Sequence, residues 1–275
     1  MKIDPLKRSD IEGKTVMANE EPHPAAIPEI RQIEFRDLGL ALADGVRDFR
    51  RAPVFGLVIA ALFVLGGIIV FLQLLAMQAT WVILPVSVAF PLIGPFVVVG
   101  LYEVSHRLEL GEHPDWAAVA RRVLAQKDRQ IPSMAFVVTF FAGIWFFLAH
   151  LVFALTFGLS AITNVSSSFD LLLSREGMIM LGVGSIVGAL LAFALFSLTV
   201  VSFPLLVDRD FDFVTGMITS VQAVSRNLRV MILWALIVAG LTFLALVPAF
   251  LGLFVVLPIL GHATWHLYRR ILVPV

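Results

Sequence analysis

Residues 53–102 read PVFGLVIAALFVLGGIIVFLQLLAMQATWVILPVSVAFPLIGPFVVVGLY. Not one Asp, Glu, Lys or Arg occurs among them. A helix crossing a bilayer needs about 20 apolar residues, so the stretch is long enough for two. The break falls at Met77-Gln78-Ala79-Thr80, just before Trp81. Trp81 has the amphipathic ring that anchors a chain at the membrane–water boundary. The reading is two spans, 53–77 and 81–102, in an antiparallel hairpin.

The same test extends along the chain. Uncharged stretches at 132–159 and 178–207 flank a polar loop from Thr163 to Glu176. Two more, 230–247 and 250–268, are separated only by Pro248 and Ala249. The fold class expected is an all-α polytopic membrane protein with six transmembrane helices in three hairpins. The stretch 178–207 exceeds what a bilayer needs, which predicts tilt or extension beyond the membrane. Residues 1–29 carry Pro5, Pro22, Pro24 and Pro28 among mixed charges and read as a flexible cytoplasmic tail; 30–275 form the membrane domain.

Composition agrees. Hydrophobic residues make up 59% of the 275, charged residues 15%, and the mean hydropathy is +0.95. Soluble domains carry roughly 25% charged residues, so an ordinary soluble or disordered protein is excluded. The absence of cysteine excludes disulfides, thiolate metal sites and thiol catalysis. Twenty basic and twenty acidic residues balance, and no basic excess points to nucleic acid.

The distribution of charge says more than its sum. Nineteen of the twenty Lys and Arg residues lie before Pro53, between 103 and 131, between 208 and 229, or at Arg269-Arg270. Only Arg175 falls in the alternate segments. The positive-inside rule therefore predicts both termini in the cytoplasm, in a multi-pass membrane protein.

Each odd-numbered span follows a stretch of helical periodicity. Phe35, Leu38, Leu42, Val46 and Phe49 recur on one face before the first span, with Asp44, Arg47 and Asp48 among the residues between them. Trp116, Val119, Ala120, Val123 and Leu124 do so before the third, with Asp115 as N-cap. Phe213, Met217, Val221, Val224 and Leu228 do so before the fifth, after Asp212. These predict cytoplasmic amphipathic helices at the membrane interface or docked to a partner. Amphipathic helix plus hairpin, three times over, suggests an internal repeat.

No acidic or basic side chain other than histidine falls within the expected spans. Ion-coupled transporters and proton pumps place titratable groups there, so that class is disfavoured. Catalytic and metal residues are not indicated. His262 and His266 share a helix face, and His106 lies at a comparable level, making these three weak haem-ligand candidates. The bland reading is hydrogen bonding at the interface. Trp81, Trp116, Trp265, Tyr268, Arg269 and Arg270 read as interface anchors. Gly66, Gly67, Gly184 and Gly188 read as close helix packing.

Asp37-Leu38-Gly39-Leu40-Ala41-Leu42-Ala43-Asp44-Gly45, Pro91-Leu92-Ile93-Gly94-Pro95, Gly100-Leu101-Tyr102-Glu103 and the run from Gly261 to Arg270 carry a resemblance. Over about residues 30–272 the chain resembles a bacterial family of predicted integral membrane proteins of unknown function. Some members carry a cytochrome c oxidase subunit label, which implies association with a respiratory complex. The expected function is a non-enzymatic accessory, scaffold or assembly protein acting on other membrane components and the lipid bilayer. The alternatives are a passive channel or transporter for a small solute or lipid, and a haem-binding redox protein. No other cofactor is expected.

Overall fold

The computed structural model describes residues 28–77, 83–158 and 173–273. Trp81, most of the N-terminal tail and most of the Thr163–Glu176 loop lie outside them. The described chain is helical, without strands. Its helices are α1 (Phe35–Arg51), α2 (Pro53–Met77), α3 (Ile83–Glu109), α4 (Trp116–Ala125), α5 (Ile131–Phe157), α6 (Arg175–Thr199), α7 (Ser202–Asp208), α8 (Phe213–Arg226), α9 (Leu228–Leu246) and α10 (Leu253–Ile271). All six apolar stretches are thus helical. Three helices are long and apolar enough to cross a membrane: Ile131–Phe157, Arg175–Asp208 and Leu228–Leu246. Phe35–Arg51 and Pro53–Ile69 form a fourth candidate, bent by 99°. Pro53 causes that bend, since a residue before proline is driven out of the helical region, and Ala52 has φ −135° and ψ 55°.

The long α6–α7 helix is interrupted at Val200–Val201. Pro204 has no N–H for the Val200 carbonyl, and its ring crowds that carbonyl. The groups freed by the break are met by Ser220 of α8. Val201 N–H donates to Ser220 Oγ at 3.1 Å, and that hydroxyl donates to the Ser197 carbonyl at 2.7 Å.

Each short helix sits on a long one: α1 on α10, α4 on α3, and α8 on α6 and α7. The N-cap expected at Asp115 forms, its side chain accepting from Ala118 N–H, and Asp212 accepts likewise from Thr215 N–H. The buried faces of the short helices match the expected stripes only in part, through Leu38, Val119 and Val224. On α1 the buried residues are Leu38, Ala41, Gly45 and Asp48, while Phe35 is exposed. On α8 they are Gly216, Thr219, Ser220, Ala223 and Val224, while Val221 is exposed, as is Leu228 at the start of α9. Small residues let helix backbones approach closely. Most of the large apolar side chains that carry the periodicity are left at the edges or outside.

Gly45 shows how close the approach is. A β-carbon there would stand 2.7 Å from the Ile259 carbonyl oxygen and 2.8 Å from the Ala263 nitrogen of α10. Helix α1 therefore lies flush against one turn of α10. An extended strap closes the assembly: Arg31 N–H donates to the Ile271 carbonyl, and Asn227 accepts from Ile33 N–H and donates to the Arg31 carbonyl.

Two glycines on α1 give a test with opposite signs. Nothing lies within 4 Å of a β-carbon built at Gly39. Gly45→Ala is expected to destabilise by about 1–3 kcal/mol through overpacking. Gly39→Ala is expected to stabilise by about 0.5–1 kcal/mol through helix propensity. Thermal unfolding in detergent reads both, and equal effects would show that α1 is not seated on α10.

Candidate functional site

The side chains of chemical interest gather where α1, α3 and α10 end together. Helix α3 runs on past Tyr102 to Glu109, so Glu103, Ser105, His106, Arg107 and Glu109 belong to one continuous helix. Helix α10 supplies His262, Trp265, His266, Tyr268, Arg269 and Arg270. Helix α1 supplies Asp44 and Asp48.

Asp48 is 2% exposed, which would be costly for a lone carboxylate. His266 Nε2 meets its Oδ2 at 2.6 Å. Burial by itself would raise the Asp48 carboxyl. The His266 hydrogen bond and charge, with a hydrogen bond from Ser105, hold it below its ordinary 3.8. Beside this pair, Ser105 Oγ and His262 Nδ1 are 2.8 Å apart, both fully buried. His262 Nε2 and His106 Nδ1 are buried without a hydrogen-bond partner among the described residues. His106 meets the Trp265 ring edge-on, with centroids 5.5 Å apart. The three histidines thus reach the same end of the bundle through different partners. Among the described residues, no three His, Asp or Glu side chains group to hold a metal ion.

A ring of ion pairs surrounds this centre. Arg270 and Arg47 share Asp44, at 2.5 and 2.8 Å. Arg269 reaches Glu109 at 3.1 Å and Asp208 at 3.4 Å. Arg107 binds Glu103 at 2.7 Å, the pairing expected from their i, i+4 spacing. Trp265 and Tyr268, expected as interface anchors, are each 1% exposed and belong to the core. Their polar tips still have partners: Trp265 Nε1 donates to Glu109, and Tyr268 Oη donates to Asp208 at 2.6 Å. Trp116 is exposed and stacks on Phe55, 4.2 Å between centroids.

The glycines divide. A β-carbon at Gly188 would stand 2.9 Å from the Trp145 ring, a packing contact between α5 and α6. At Gly184 the nearest atom is Val152 Cγ1 at 4.0 Å, and at Gly67 it is the Phe250 ring at 3.6 Å. Gly66 is half-buried. Gly184 and Gly188 also line an apolar cavity of about 890 Å³ together with Trp145, Ala239 and Phe243.

Residues 83–208 match the family model described as Predicted integral membrane protein (DUF2189). The resemblance therefore holds over α3 to α7, 126 of the 275 residues, and this segment is similar to predicted integral membrane proteins. No curated protein and no solved structure matches. The DUF2189 segment contributes Ser105, His106, Glu109 and Asp208 to the charged end. Asp48, His262 and His266 come from outside it. The periodicity placed Asp48 among the polar residues between the large apolar ones of α1, because it weighed only those large side chains. The small residues Gly45 and Ala41, one and two turns earlier on the same face, were the available signal.

The pH dependence follows in sign. A carboxyl held low in the folded protein contributes stability at neutral pH, lost as pH falls below 3.8 and through the lowered value. Wild type is expected to unfold at a higher temperature than Asp48→Asn at pH 7, with the difference shrinking in acid. A difference independent of pH would show that the charge of Asp48 carries no stability.

Proposed function

We propose that the protein is a non-enzymatic accessory or scaffold protein of the bacterial inner membrane, with both termini cytoplasmic. Six spans form three hairpins, each preceded by an amphipathic helix that covers the cytoplasmic end. One observation carries the reading: the short helices seat on the bundle largely through small or polar residues and leave several large apolar side chains outward. Val214, Ile218 and Val221 on α8, and Trp116 and Leu124 on α4, are exposed in this way. Such side chains suit the lipid boundary or the flank of another membrane protein. The cyclic seating of α1 on α10, α4 on α3, and α8 on α6 and α7 supports the threefold repeat. The histidines serve the buried polar centre, since His266 Nε2 and His262 Nδ1 are already engaged by Asp48 and Ser105.

A second reading, passive passage of a lipid or small apolar solute, is favoured by the cavity between α5, α6 and α9.

Two measurements separate these readings. A reporter fused after Val275 should signal from the cytoplasm; a periplasmic signal removes the six-span arrangement. Affinity isolation in mild detergent should recover specific membrane proteins, and Ile218→Glu should reduce that recovery severalfold. Isolation alone, combined with flux of an apolar solute in vesicles, would favour passage.

A further inference from the structure

A polar cavity of about 420 Å³ opens above the Asp48–His266 pair, between the ends of α1, α3 and α10. Four guanidinium groups line it: Arg47 and Arg51 from α1, Arg269 and Arg270 from α10. Three carboxylates also line it, which at first sight cancels most of that charge. Their commitments decide otherwise. Asp44 is held by Arg47 and Arg270, Asp48 by His266, and Glu109 by Arg269 and Trp265. Arg51 forms no ion pair among the described residues, and Arg270 Nε is buried without a hydrogen-bond partner. The helix ends do not absorb this charge either. Arg31 N–H caps the Ile271 carbonyl of α10, and Glu112 N–H caps the Arg107 carbonyl of α3.

The cationic N–H groups left over, those of Arg51 and the buried Arg270 Nε, belong to residues lining a cavity whose three carboxylates are all engaged, beside the point where the chain enters an apolar helix. Val54, Leu57 and Val58 follow Arg51 directly and are exposed. Guanidinium forks match the oxygens of a phosphoryl group. Basic pockets at the ends of membrane helices suit anionic headgroups.

We propose that this cavity binds a phosphoryl group, supplied by the headgroup of an anionic lipid whose chains lie against the exposed face of α2. Arg51 and Arg270 are the principal contacts, with Arg47 at the rim. The lipid source rests on this end of the bundle lying at the membrane boundary. The phosphoryl preference does not, so the two parts fail separately.

The test uses delipidated full-length protein, with thermal stability read during titration with phosphatidylglycerol, with diacylglycerol of the same chains, and with inorganic phosphate. Phosphatidylglycerol should stabilise and diacylglycerol should not. Arg51→Gln should weaken the phosphatidylglycerol response about tenfold, the scale of one charge-assisted hydrogen bond. Arg50→Gln, on the same turn but outside the cavity, should leave the response unchanged. Arg51 holds no ion-pair partner among the described residues, so its variant should remain folded. A response to phosphatidylglycerol with none to phosphate assigns the lipid source. An Arg51-dependent response to phosphate alone keeps the cavity and overturns that source. Equal responses of wild type and Arg51→Gln, or of phosphatidylglycerol and diacylglycerol, overturn the proposal.

Discussion

The seating of α1 on α10 at Gly45 is the contact on which the charged end depends. Only a residue without a side chain lets the α1 backbone reach the Ile259–Ala263 turn. That approach carries Asp48, one turn further on, to hydrogen-bonding distance of His266. A gap of one methyl group would leave a buried carboxylate and a buried imidazole facing each other without contact. Steric room in the middle of α1 thus sets the electrostatics at its end.

The helix break at Val200–Val201 obeys a similar logic. In a membrane domain an unmet backbone N–H or carbonyl costs several kcal/mol, because lipid offers no hydrogen bonds. The break parts Val201 N–H from the Ser197 carbonyl, and the Ser220 hydroxyl satisfies both. Asn227 does the same for the extended strap at residues 30–33. The polar residues on the buried face of α8 therefore complete the backbone hydrogen bonding of their neighbours, and the fully buried Ser220 depends on that role.

These arrangements divide the protein into two regimes. The long helices carry no carboxylate or guanidinium along their apolar length and pack through small and aliphatic residues. Their shared end concentrates carboxylates, guanidiniums and three histidines in a few turns. The DUF2189 match supplies one wall of that end, and the two terminal parts of the chain supply the others. Only the whole chain assembles the cavity proposed to take a phosphoryl group.

How much could be read before folding follows from range. An uncharged stretch longer than a bilayer is thick is a local property, so all six apolar helices, the Asp115 cap and the Glu103–Arg107 pair were legible in order along the chain. The buried faces of α1 and α8 were not, because large apolar residues dominate a periodicity while small ones decide how near two backbones come. Trp265 and Tyr268 looked like boundary anchors by type; the bundle turned them inward and gave their polar atoms Glu109 and Asp208. The Asp48–His266 contact joins residues 218 positions apart, and Ser105–His262 joins residues 157 apart. No spacing rule spans such distances. Their partnership exists only because the three helix ends meet in space.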